Sequence, residues 1–306
     1  MTGTRTWWEV RLRVPASLEE EAVAALWDAG CLGVESRGRR RADDPDAPGR
    51  SRRRVSLAAY YPASLAPRAL AAATGRALRA AGVALVTSSR PRRIADRHWV
   101  ERWQRSLRPM PIGRRFLAVP EGCAAPEATR RLALHIPFGQ AFGTGEHAST
   151  RLSLVLMESA LRRGDRVIDL GTGTGILAVA ALRLGAASAA GIDADPVAVA
   201  VARQTRRMNR IGPGLTLRRA DASSALDPRR FDLALVNIGA RVIRDLLPRL
   251  SRALRPGGRA ILAGILIEDE PDLLRRARRA GLRLAARRRT RPWSALLLVK
   301  RSVTPS

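Results

Sequence analysis

VIDLGTGTGILAVAALRLGA, residues 167–186, decides the fold of this chain. It opens on the apolar residues of a buried strand that ends at Leu170. Gly171, Gly173 and Gly175 then make a tight turn, and a helix opens at Thr174 or shortly after. Glycine is needed because the backbone must turn sharply and approach a ligand closely. GIDADP follows, and its Asp193 stands at the end of a second strand. An acid at that place accepts both hydroxyls of a ribose. The glycine turn alone is a common strand-to-helix link; with the acid at this spacing it reads as a ligand site.

The turn also separates two ligand classes. A dinucleotide site aims a helix N-terminus at a pyrophosphate and follows G-x-G-x-x-G. Here the glycines stand at every second position, GTGTG, and Asp169 sits just before them. A carboxylate there opposes a phosphate but suits a cationic sulfonium or amino group, which points to S-adenosylmethionine. The pattern D-x-G-x-G-x-G with a downstream acid resembles the motif of the class I methyltransferases.

Outward from this stretch, strands are expected at 166–170, 188–193, 215–220, 231–237, 259–264, 282–287 and 294–300, with helices between most of them. Alternation of this kind predicts an α/β fold with a Rossmann-like, seven-stranded, mostly parallel sheet over residues 131–306. Upstream the order is βαββαβ within residues 1–90, the order of a small ferredoxin-like α+β domain. Inside it RGRRRADDPDAPGRSRRR, residues 37–54, has almost no apolar content and is expected to be a long mobile Arg-rich loop. Residues 91–130 read as a connector. Trp99 and Trp103 share one face of a short helix, and Pro109, Pro111, Pro120 and Pro126 keep the chain extended.

Composition bounds the function. Hydrophobic residues at 46% and charged residues at 27% exclude a largely disordered or collagen-like chain. No apolar run is long enough for a membrane span, and residues 1–10 lack the pattern of a secretory signal. Cys31 and Cys123 form no metal spacing, so no metal is expected and a cytoplasmic setting is the simplest. The formal net charge is +28, and all but one of the 55 basic residues are arginine, Lys300 being the exception. That uniform use of arginine fits codon bias and a solvated surface, while leaving open a contact with ribosomal RNA.

Two further segments carry chemistry. PFGQAFGTGEHAST, residues 137–150, holds glycines, hydroxyls, Phe142 and His147 just before the glycine-rich strand. VNIGA, residues 236–240, places Asn237 at the carboxyl end of another strand, where open α/β sheets bind ligands. Its side-chain carbonyl is placed to accept a hydrogen bond from a target amine, or Asn237 caps the next helix. The first segment resembles the P-G-x-A-F-G-T-G-x-H-x-T-T signature of PrmA-type methyltransferases, which modify large-subunit ribosomal protein eleven. The second is similar to that family's N-I-L-A motif. WWEVRLRVPASLEEEAVAALWDAGCLGVES resembles the family's substrate-recognition domain, and ADRHWVERWQRSLRPMPIGRRFLAVP its connector. His98, the run Ile136–Pro137–Phe138 and Gly239 depart from the family pattern.

The resemblance implies S-adenosylmethionine-dependent N-methylation of ribosomal protein eleven, free or ribosome-bound, at its N-terminal amine and at lysines. It implies cofactor contacts from Thr150, Gly171, Asp193 and Asn237, with Gly173, Asp169 and Phe142 nearby, and gives Asn237 the catalytic place. His147 is a candidate wall residue, with a structural role weighed above that of a general base. The alternatives are methylation of another protein or of RNA, and a nucleotide-linked oxidoreductase on the same sheet.

Overall fold

A computed structural model describes residues 6–31, 33–37, 54–83, 87–95, 108–137, 147–228 and 230–301. The chain divides into two compact units, Met1–Ser106 and Leu107–Ser306.

In the first unit β1 (Thr6–Pro15) leads into α1 (Glu19–Asp28), β2 (Gly33–Arg37), β3 (Arg54–Pro62), α2 (Pro67–Ala80) and β4 (Thr87–Ser88). The sheet runs β2-β3-β1-β4, and its pairings are antiparallel. β1 buries Val10, Leu12 and Val14 and exposes Arg11 and Arg13, the period-two pattern of a half-buried strand. α2 opens on Pro67, whose missing N–H costs nothing in a first turn, and buries Leu70, Thr74 and Leu78 at four-residue spacing. Leu70 and Leu78 share one core with Ala22, Ala25 and Leu26 of α1. Of the strand expected at 83–88, Thr87–Ser88 pairs with β1, and residues 84–86 lie outside the described residues. Arg37 and Arg54 belong to strands; the rest of the expected 37–54 loop lies outside the described residues.

The expected connector, 91–130, needs correcting. A fifth strand, β5 (Arg92–Ala95), pairs with β1 and so extends the first unit's sheet. In the second unit β6 (Met110–Ile112), β7 (Phe116–Pro120) and β8 (Leu132–Ile136) form a sheet of their own in the order β6-β7-β8. Pro111 lies inside β6 and Pro120 ends β7, so these prolines do not hold the chain apart, and burial of Ile112, Phe116, Ala118 and Leu134 ties the sheet to the second unit's core. The helix expected around Trp99 and Trp103 lies outside the described residues.

The second unit then alternates α3 (Ala148–Ala160), β9 (Arg166–Leu170), α4 (Ile176–Arg183), β10 (Ser188–Asp193), α5 (Pro196–Met208), β11 (Leu215–Arg219), β12 (Phe231–Asn237), α6 (Ala240–Ala253), β13 (Leu254–Leu266), α7 (Glu270–Arg279), β14 (Leu282–Thr290) and β15 (Trp293–Lys300). These seven strands form one sheet, ordered β11-β10-β9-β12-β13-β15-β14. β11 to β13 are mutually parallel, and β15 runs antiparallel between β13 and β14. This is the expected Rossmann-like sheet, with β13, β14 and β15 each longer than the sequence suggests.

Each face carries its own core. Val167 points to the side of α3 and α4, and Ile168 and Leu170 to the side of α6. A sheet covered on both faces buries nearly continuous apolar strands, and β12 (FDLALVN) is such a strand. One buried ion pair joins the base of the sheet to α3: Arg259 Nη2 lies 2.7 Å from Asp165 Oδ1, while its Nη1 donates to the Ala160 carbonyl. Among the described residues no helix is long and apolar enough to cross a membrane.

Candidate active site

The strand order reverses between β9 and β12, so their carboxyl ends diverge and leave a crevice. β9 delivers Asp169 and the glycine turn to one side of it, and β12 delivers Asn237 to the other. Gly171, Gly173 and Gly175 all have positive φ, at 67°, 54° and 78°. Only glycine adopts that conformation freely. A Cβ on Gly171 would also collide with Ile238 Cγ2. α4 starts at Ile176 behind the left-handed Gly175.

Asp193, at the end of β10, braces this turn. Its Oδ2 accepts the Gly173 amide at 2.9 Å, and its Oδ1 accepts the Asp195 amide at 3.0 Å. The carboxylate is only partly buried, and each oxygen keeps a lone pair for a further donor such as a sugar hydroxyl. Asp169 is fully buried. Its Oδ2 accepts the Thr172 hydroxyl at 2.6 Å, whereas Oδ1 has no partner among the described residues. Burial, with the Asp193 charge nearby, pushes its pKa up to about 7, against the opposing pull of the Thr172 hydroxyl and the Ala178 amide. A buried carboxylate oxygen left unpaired is an invitation to a cation or a donor.

Asn237 is 8% exposed. Its Nδ2 donates to Thr150 Oγ1 at 3.3 Å, so the fully buried Thr150 fixes the amide and leaves Oδ1 without a partner among the described residues. Thr150 stands in the first turn of α3, whose N-cap is His147. Asn237 does not cap the following helix; Gly239 takes that position. The sequence assigned Thr150 to the cofactor, whereas its described contact is with Asn237.

The His147 Nδ1 accepts the Ser149 amide at 3.2 Å and lies 2.7 Å from Ser149 Oγ. Burial, with Arg151 nearby, lowers its pKa to about 4. A capping imidazole that stays neutral so far below neutral pH is a poor base for an ammonium ion. Phe142 lies outside the described residues.

Two features escaped the sequence reading. Gly264 on β13 has φ 74°, and a Cβ there would stand 2.7 Å from the Ile238 carbonyl and 3.3 Å from Asn237 Oδ1. A lone glycine in the apolar run RAILAGIL was the available signal, since strand glycines mark close approach. Trp293, at the start of β15, meets the His147 ring edge-on with centroids 4.7 Å apart. Nothing in the local sequence joins residues so far apart in the chain.

A family model described as ribosomal protein L11 methyltransferase (PrmA) matches residues 6–301. A ribosomal protein L11 methyltransferase of Synechococcus sp. (strain RCC307) is 35% identical over 305 residues, 97% of this chain and 98% of the relative. The protein of the same name from Thermus thermophilus is 41% identical over 187 residues, 60% of this chain and 70% of the relative. Among solved structures, a ribosomal protein L11 methylase from Lactobacillus delbrueckii subsp. bulgaricus superposes with a TM-score of 0.60 at 27% identity, covering 64% of this chain and all of that one.

Proposed function

The chain belongs to the ribosomal protein L11 methyltransferase (PrmA) family, and from that premise we propose that it N-methylates the N-terminal amine and lysines of ribosomal protein L11. Its cofactor is S-adenosylmethionine, which supplies, when bound, a methyl group on a cationic sulfonium. The residues at the crevice fit that group. The left-handed glycine turn leaves a cradle that a Cβ would fill, and Asp169 Oδ1 is a buried, unpaired acceptor beside it. Gly171 and Gly173 admit the ligand to the backbone, Asp193 accepts ribose hydroxyls, and Asp169 favours positive charge.

The observation that carries the reading is the buried, unpaired Oδ1 of Asn237, held by Thr150 across the crevice from the glycine turn. An amine nucleophile attacks through its lone pair and offers its N–H groups to acceptors. Asn237 Oδ1 accepts one of these and so aims the lone pair. A lysine amine has a reference pKa near 10.4 and must shed a proton first. Desolvation at the crevice lowers that pKa, since burial disfavours the charged form. Alignment then does most of the work, and no general base of the His147 kind is required.

The test is peptide mapping of unmethylated ribosomal protein L11 after reaction with the full chain and S-adenosylmethionine. Methyl groups on the N-terminal amine and on lysines are expected. Methyl groups confined to other side chains would overturn the amine reading.

A further inference from the structure

In an open parallel sheet the helices run back antiparallel to the strands, so their C-termini gather at the strands' amino ends, opposite the active crevice. In the second unit this end is strongly basic. Arg183, Arg207 and Arg252 stand in the last turns of α4, α5 and α6, and Arg278 and Arg279 close α7. Arg162 and Arg163 lie in the turn before β9, Arg210 before β11, and Arg301 just after β15. All nine are exposed.

Helix dipoles favour basic residues at C-termini and explain part of this. Some cations there are fully occupied by the fold. Arg206 donates to the Ile211 and Gly212 carbonyls, and Lys300 to those of Ser251 and Leu254. The carboxylates of this end are committed as well. Asp165 holds Arg259, Asp232 holds Arg255, Asp227 holds Arg230, and Glu158 accepts the Arg114 and Arg115 amides. What is left is an excess of exposed guanidinium groups.

The central part of this surface is continuous. The Gly164 amide donates to the Gly185 carbonyl at 2.8 Å, and a Cβ on Gly185 would touch Arg163 Cγ at 3.4 Å. Arg183 reaches across to the Asn209 carbonyl at 2.9 Å, next to Arg210. The His135 imidazole lies within this field: burial, then Arg183 and Arg210, push its pKa down.

We propose that this basic end of the sheet, centred on Arg162, Arg163, Arg183, Arg207 and Arg210, is a docking surface for the phosphate backbone of RNA. Guanidinium forks match phosphate oxygens bidentately. Seven strands at about 4.8 Å spacing give a face roughly 30 Å wide, room for several phosphates. A membrane surface fits less well, because peripheral binding also needs inserted apolar side chains. Among the described residues of the second unit, the exposed large apolar side chains are Val197 and Val242, in the first turns of α5 and α6 at the far end of the sheet, and only Leu284 near the amino end of β14. The surface lies opposite the crevice, so RNA held there leaves Asn237 open to substrate.

The experiment is fluorescence anisotropy of a labelled single-stranded RNA of random sequence with the full chain. Salt would be varied from about 50 to 200 mM. The wild type should bind with a Kd below about 10 µM at the low end and a log–log salt slope near −3, as for about four phosphate contacts. Replacing Arg162, Arg163, Arg207 and Arg210 by Gln should weaken binding at least tenfold and flatten the slope, with S-adenosylmethionine affinity unchanged. Gln at Arg241, Arg275, Arg288 and Arg291 removes the same charge elsewhere and should change binding less than about threefold. If the quadruple variant unfolds, Arg163→Gln and Arg210→Gln alone should each cut the slope by about 0.7 to 0.9. Equal losses in both sets would reduce the effect to diffuse charge and overturn the proposal. So would absent RNA binding, or binding confined to phosphatidylserine vesicles. Methyl transfer enters none of these readouts, so failure here is distinct from failure of the substrate assignment.

Discussion

Asp169 faces both the stability of the protein and the charge of its ligand. Its pKa is near 7 in the folded chain and 3.8 ordinarily. The folded state therefore holds a proton that the unfolded chain has already released between those values. The stability from this group is fully present below the unfolded value and is lost as pH rises through about 7. The urea midpoint of the ligand-free protein should fall between about pH 5 and 8, and Asp169→Asn should flatten that slope. Affinity for the cationic cofactor should move the other way, rising over the same range as the carboxylate ionises. Cofactor affinity that is flat with pH would remove Asp169 from the site. Gly171→Ala is the steric counterpart. The residue would be forced into φ 67° and its Cβ driven against Ile238, at a cost of roughly 1–3 kcal/mol and with loss of cofactor binding. Trimming Ile238 to Ala in the same chain should restore part of the stability but not all, because the backbone strain remains.

At the scale of elements, the helices and strands that carry the site are tied down far from it. Arg259 at the base of β13 holds both Asp165 and the last carbonyl of α3, and α3 in turn presents Thr150 to Asn237. Removing one member of a buried pair leaves the other charge unpaired. Arg259→Met should cost about 3–5 kcal/mol in chemical denaturation. Replacing Arg259 and Asp165 together by apolar residues should cost much less; a loss equal to the single variant's would mean that the pair is not the cause. The elements were also where the sequence was most readable. RVIDL, SAAGID and FDLALVN gave β9, β10 and β12 with their ends in place, because continuous apolar strands bounded by charge or glycine have little alternative. The region around 110–120 was harder. MPI and FLAVP are short and contain prolines, and what makes them strands is pairing, MPI with FLAVP and FLAVP with the more distant LALHI, a contact no local pattern contains. Of the candidate site residues, Gly171 stands in the left-handed turn and Asp193 and Asn237 at the strand ends where turn chemistry and strand pattern put them. The buried tie between Thr150 and Asn237 and the edge-on contact of Trp293 with His147 arise only from tertiary packing.

For the whole molecule, charge is the property that the sequence posed as a question and the fold organises. A net +28 distributed evenly would screen out within a Debye length of each group. The part of it that stands at helix C-termini makes one end of the second unit a basic face, while Arg241, Arg288 and Arg291 lie elsewhere. Asp193, Asp195 and Asp221 stand instead at or just beyond the carboxyl ends of β10 and β11, next to the crevice. The Arg-rich segment 37–54 is a separate matter. Its deletion should leave S-adenosylmethionine affinity within about twofold, because its sequence has almost no apolar content to contribute to a core. Collapse of cofactor binding on deletion would make the segment part of the fold or the site.

The most direct measurement is single-turnover methylation followed by intact-mass spectrometry. Ribosomal protein L11 and S-adenosylmethionine would be mixed with the wild type, with Asn237→Ala and with Asp193→Ala. Mass gains in methyl steps are expected with the wild type. Asn237→Ala should bind cofactor nearly normally yet transfer methyl at least about a hundredfold more slowly, through lost alignment of the amine. Asp193→Ala should lose affinity for cofactor first and recover much of its rate at high cofactor concentration. An Asn237→Ala enzyme that transfers methyl at the wild-type rate would contradict the account.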